Sequence, residues 1–176
     1  MAMRQERRPP PPLDAAALER LALRYVERFA TTRGKLADYL GRKIRERGWE
    51  GEAADPHALA QRMADLGYVD DRLYAESRAA ALGRKGLGAR RVTMALRQAH
   101  VTAADAEDLA PAIAGRAGEA ARTFARRKRI GPFGMPTDDR AVRDKQLAAM
   151  LRAGHGFAVS RAIVFANSEE ELDELE

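Results

Sequence analysis

The chain has 176 residues, 45% of them hydrophobic, 32% charged and none of them cysteine. That composition can bury a core in one or two ordinary domains; it excludes disulfides, a thiolate zinc site and a cysteine nucleophile, and it fits a reducing compartment. Thirty-one lysines and arginines stand against 26 acids, and six of those acids fall in the terminal run SEEELDELE (168–176), which leaves a body of about +11. Such a body attracts polyanions, and its acidic end competes for the same surface.

The leading segment MAMRQERRPPPPLD lacks the apolar stretch of a signal peptide. No stretch approaches the roughly 18 to 20 apolar residues that cross a bilayer, so a cytoplasmic protein with no membrane partner is expected. Residues 1–12, which include RRPPPP, read as a disordered basic arm.

From there the signal is helical. Val, Ile and Thr make up only about a tenth of the chain, and nothing alternates with period two, so a sheet has little to build on. Apolar residues follow helical spacing at Leu18, Leu21, Tyr25 and Phe29, at Leu36, Leu40 and Ile44, at Leu59, Met63 and Leu66, and at Val92, Leu96 and Ala99. Breaks are expected at Gly34, over GWEGEAADP (48–56), at Gly67, over GRKGLG (83–88), at Val101 and Thr102, and over GPFGMPTDD (131–139). The result is a set of helices of about 10 to 16 residues.

The helices repeat. LADYLGRKI from Leu36, VTMALRQAH from Val92 and LAAMLRAGH from Leu147 each carry an apolar residue, three intervening positions and a leucine, with starts 56 and then 55 residues apart. LDAAALERL from Leu13 aligns with VDDRLYAES from Val69 at the same offset of 56. The period suits a three-helix unit. The expected organisation is a first helical repeat over 13–50, a second over 55–101, a third over 102–167, and an acidic tail over 168–176.

The adjacent Asp70 and Asp71 could suggest a metal or acid/base pair. Gly67 suits a helix-ending left-handed turn, which makes Asp70 an N-cap and Asp71 a first-turn partner of the helix dipole. In the aligned segment Asp14 is followed by Ala15, a pattern that fits a cap and not a metal pair. His57, His100 and His155 form no HxxxH or HExxH pattern, and the last two recur at helix ends in LRQAH and LRAGH. No catalytic residue, metal or cofactor is expected.

GRKGLG has neither P-loop nor dinucleotide-loop spacing. As a turn between helices it exposes Arg84, Lys85, Arg90 and Arg91; a related turn in TTRGKLADYLGRK offers Arg33, Lys35, Arg42 and Lys43. RTFARRKRIG places Arg126, Arg127, Lys128 and Arg129 at a helix end, where cations suit the dipole. Phe124 and Phe133 read as core residues, so base stacking has little support.

Three blocks, RFATTRGKLADYLGRKIRERG, LGYVDDRLYAESRAAALGRKGLGARRVTMALRQAHV, and RRKRIGPFG with LRAGHGFAVSRAI, resemble the RecX family of bacterial regulators of the RecA recombinase, over roughly residues 13–167. The resemblance implies an all-α fold, an elongated tandem array of three-helix units like helix-turn-helix modules. It also implies no catalysis, and binding to the RecA–DNA filament that limits recombinase, ATPase and coprotease activity. The twelve cations named above are the expected RecA or DNA contacts, DNA binding being weak and non-specific and the protein a monomer. The alternative is a helix-turn-helix-like DNA-binding protein with no RecA partner.

Overall fold

The computed structural model describes residues 11–173. They form ten α-helices and one turn of 3₁₀ helix, with no named strand among the described residues. The chain divides into two compact units, Met1–Tyr74 and Ala75–Glu176.

In the first unit, Asp14 accepts from the Ala17 amide (2.7 Å) and starts α1 (Ala15–Val26). Thr32 caps α2 (Arg33–Arg47) through the Lys35 amide, so Gly34, expected as a break, lies inside that helix. The hydroxyl of Thr32 is what moves the boundary two residues earlier. Asp55 caps α3 (Pro56–Asp65), with proline in the first turn, where its missing N–H costs nothing. Leu18, Ala22, Leu36, Leu40, Ala60 and Met63 share one core. The helix α3, expected to open the second repeat, therefore packs on α1 and α2. Phe29, expected on the stripe of α1, lies beyond the helix end and is exposed.

Leu13 is wholly buried and lies against Trp49 in a short parallel bridge: its amide donates to Gly48 O (3.0 Å), and its carbonyl accepts from the Glu50 amide (2.9 Å). Pro11 accepts twice from the Arg47 guanidinium. The rest of the expected disordered arm, residues 1–10, lies outside the described residues. At the end of α3, Gly67 adopts φ +81, and the Tyr68 amide donates back to Met63 O (2.9 Å), the expected left-handed stop.

Helix α4 (Asp71–Arg84) begins in the first unit, and the second contains α5 (Ala89–Gln98), α6 (Ala103–Ala114), α7 (Ala117–Lys128), α8 (Arg140–Arg152), α9 (Phe157–Phe165) and α10 (Glu170–Asp173). Of the glycines in GRKGLG, Gly83 is helical, Gly86 turns with φ +76, and Gly88 precedes α5. The insertion GPFGMPTDD holds the 3₁₀ turn Gly131–Phe133 and the N-cap Asp139 of α8.

Helices α5 and α8 meet end to end. The Gly88 amide donates to Ala153 O (2.9 Å) and the Arg90 amide to Gly154 O (3.2 Å), so orphan donors of one helix satisfy acceptors just past the end of the other. The core behind them joins Ala121, Phe124, Ile130, Met150, Ile163 and Leu172.

The repeat register differs by one residue from the sequence alignment. His100 (φ 59) and Gly154 (φ 93) are the left-handed residues after α5 and α8, and Val101 and His155 donate back to Leu96 and Met150. The structural offset is therefore 54, and His155 matches Val101 rather than His100. Burial explains the shift: Leu96 and Met150 are fully buried, whereas Leu151 is only partly so.

Candidate functional site

Asp70 behaves as expected, accepting from the Leu73 amide (2.8 Å). Asp71 does more than complement the dipole. Its carboxylate accepts from the Arg33 amide (2.8 Å) and from Arg33 Nε (3.0 Å), and its side chain is 8% exposed. One carboxylate thus stands at the positive ends of both α2 and α4. Arg33 also donates to Gln61 Oε1 (2.8 Å).

The other cations expected in this unit are partly engaged as well. Lys35 Nζ lies 3.2 Å from the Tyr74 hydroxyl and over its ring. Lys43 pairs with Glu46 at 2.6 Å and Arg42 with the same residue at 3.6 Å. The Lys43 hydrogen bond holds the Glu46 carboxyl below its ordinary range. Arg33, Lys35 and Lys43 are only half-exposed, and Arg42 is the most accessible of the four.

In the second unit the remaining eight expected contacts are all exposed: Arg84, Lys85, Arg90 and Arg91 around the turn into α5, and Arg126, Arg127, Lys128 and Arg129 at the end of α7. Arg127 Nη1 donates to the Lys85 carbonyl (2.9 Å), so two clusters far apart in sequence adjoin. Arg90 and Arg91 occupy the first turn of α5, where a helix dipole disfavours cations and no acidic residue offsets them. The facing carbonyl of Gly154, together with the hydrogen bond from Arg91 Nε to Arg152 O (2.9 Å), compensates.

Arg78, Lys145 and Arg152 escaped the sequence reading. They line one groove of about 760 Å³ together with Arg91 and Lys128. Single cations on separate helices form no run, so only tertiary packing reveals them.

The acidic end is docked and does not fray where it is described. Leu172 is buried in the core, Arg122 reaches Asp173 Oδ1 (2.5 Å) and Leu172 O (2.6 Å), and Arg126 pairs with Glu169 (2.7 Å). Residues 174–176 of the expected tail lie outside the described residues.

His155 is 2% exposed, with Nε2 3.1 Å from Gly86 O and its ring tilted against Phe124. Burial pushes its pKa below the ordinary value, and the Gly86 carbonyl opposes this in part. Among the described residues no group of three or more histidines and carboxylates could hold a metal ion, and no helix is long and apolar enough to cross a membrane.

Short helices with exposed arginine clusters define an all-α protein with a strongly cationic surface. Over 161 residues the chain is 32% identical to the regulatory protein RecX of Myxococcus xanthus (strain DK1622), covering 85% of each. Its fold matches the crystal structure of RecX from Lactobacillus salivarius with a TM-score of 0.61, over 90% of this chain and 96% of that one, at 19% identity. No family model matches the chain. The chain belongs to the RecX family of regulatory proteins.

Proposed function

We propose that this protein regulates the RecA recombinase, mainly as an inhibitor. It binds the RecA–DNA filament as a cytoplasmic monomer without a cofactor, and limits recombinase, ATPase and coprotease activity. The observation that carries this reading is the Arg127–Lys85 contact, which adjoins two exposed arginine clusters into one cationic face. A polyanionic filament rewards such a face through counterion release and through several weak contacts made in one chain. The repeats expected over 13–50, 55–101 and 102–167 are the units that would spread those contacts along the filament. In the first unit, Arg42 is the cation that best fits the same role, since Arg33 is committed to Asp71.

The test is DNA-dependent ATP hydrolysis by RecA, titrated with the parent protein and with charge reversals. Reversing Arg84, Lys85, Arg90 and Arg91 is expected to weaken inhibition by about tenfold or more, and reversing Arg126 to Arg129 to weaken it in part. Helical circular dichroism is the folding control. If both folded variants inhibit like the parent, the cationic face is not the contact.

A second reading has one observation in its favour. Helix α5 exposes Arg90, Arg91 and Arg97, as the second helix of a helix-turn-helix module would. A parent protein that leaves RecA unaffected but binds duplex DNA with a steep salt dependence would put this reading first.

A further inference from the structure

The groove lined by Arg78, Arg91, Lys128, Lys145 and Arg152 joins five cations to an apolar surface. Several other cations of the protein meet carboxylates, as in Arg33–Asp71, Lys43–Glu46, Arg122–Asp173 and Arg126–Glu169. Among the described residues no carboxylate lines this groove. Its floor is apolar, formed by Leu82, Leu87, Phe124 and Ile130, and its mouth carries Met94 (41% exposed) and Val142 (36% exposed).

A ligand that fills the groove must satisfy both parts. Phosphates would answer the cations, but bases would find no ring to stack on: Phe124 is buried, with Arg127 over its ring and His155 beside it. Apolar side chains flanked by carboxylates answer floor and rim together. Contact with the apolar floor excludes water and strengthens the charge pairs at the rim, and a flexible methionine at the mouth adapts to the inserted side chain.

The same unit already shows this chemistry once. At α10 an acidic helical turn buries Leu172, while Asp173 within it and Glu169 just before it meet Arg122 and Arg126. We propose that the groove docks an acidic, amphipathic helical segment of a protein partner, its apolar stripe on the floor of Leu82, Leu87, Phe124 and Ile130 and its carboxylates on the five-cation rim. The proposal goes beyond RecA regulation, because it names the chemistry of the bound segment whichever protein carries it.

The probe is a fluorescein-labelled peptide of about 15 residues with leucines at helical spacing and glutamates elsewhere. It is compared with a scramble of the same composition and with an oligothymidylate of similar length, by anisotropy on the full chain. The amphipathic peptide is expected to bind the parent several-fold more tightly than the scramble. Joint Lys145→Glu and Arg152→Glu substitution is expected to weaken it by about tenfold or more. Met94→Glu, on an exposed side chain, is the second variant and should weaken it too, with circular dichroism confirming folded helices. Equal binding of peptide and scramble, or indifference to both folded variants, would overturn the proposal. So would an oligothymidylate that binds more tightly than the peptide and displaces it, which would make the groove a nucleic-acid channel. Peptide binding that persists in a protein with no effect on RecA would remove the RecA reading and leave the groove assignment standing.

Discussion

Gly88 and Gly154 meet backbone to backbone: a Cβ on Gly88 would lie 2.2 Å from the carbonyl carbon of Gly154, and one on Gly154 would lie 2.6 Å from the Arg91 amide nitrogen. Neither obstacle is the end of a flexible side chain, so neither can swing away. Gly154 also has φ +93, which side-chain-bearing residues rarely adopt. Gly88→Ala is therefore expected to force α5 and α8 apart and to cost about 2 to 3 kcal/mol or more. Urea unfolding followed by far-ultraviolet circular dichroism measures it; an unchanged midpoint would show that the helix ends separate freely.

The adjacent aspartates should respond differently to substitution. Asp70→Asn keeps a capping oxygen and is predicted to be nearly neutral, while Asp70→Ala should cost roughly 0.5 to 2 kcal/mol. Asp71→Ala removes an amide acceptor and the partner of Arg33, so the predicted cost is larger, about 2 to 3 kcal/mol. Arg33→Ala should cost less in the Asp71→Ala background than in the parent, because the pair is already broken and only the Gln61 contact remains to be lost. Equal effects of the two alanine variants would argue that Asp71 serves only the dipole of its own helix.

Acid sensitivity should trace to His155. Burial depresses its pKa in the folded state, so the unfolded chain takes up a proton that the folded chain refuses. This stabilising contribution is complete above the ordinary value of 6.5 and is lost as pH falls through it toward the lower folded pKa. The slope from this one site is at most about 1.4 kcal/mol per pH unit. Unfolding free energies of the parent and of His155→Gln, compared across the same pH series, should converge on acidification. A constant difference between the two would mean that His155 does not titrate differently in the two states.

The acidic end has two separable roles. Glu169→Gln frees Arg126 without touching the core, and should raise affinity for single-stranded DNA and steepen its decline with salt. Leu172→Ala removes a buried anchor and should cost about 2 to 4 kcal/mol. Deletion after Asn167 combines the effects, so a gain in DNA affinity has to be read beside loss of stability. If Glu169→Gln leaves both affinity and salt slope unchanged, the tail does not screen this surface.

What could be read from the sequence was local. Asp14 and Asp70 announce helix starts through residues three positions away, and Gly67 and Gly86 announce stops through the only backbone geometry that fits. The exposed cation runs were equally plain, since four consecutive basic residues cannot all be buried. What escaped depends on residues brought together by packing. Asp71 answers an arginine 38 positions earlier. Gly88 looks like an ordinary pre-helical glycine until Gly154 lies against it. His155 takes the place of Val101 and not of His100, because burial and not residue identity sets the register. The groove combines Arg78, Lys145 and Arg152 from separate helices, each indistinguishable in sequence from a solvated surface charge.

Trp49, beside Leu13 in the parallel bridge, has an optical consequence. It is the chain's single tryptophan, and all four tyrosines, Tyr25, Tyr39, Tyr68 and Tyr74, fall in the same unit, Met1–Tyr74. The unit from Ala75 onward has only phenylalanine among the aromatic chromophores. Intrinsic tryptophan emission and the tryptophan and tyrosine absorbance bands therefore follow the first unit alone. A protein that had lost the packing around Gly88, His155 or Leu172 while keeping the Leu13–Trp49 bridge would still fluoresce as though intact.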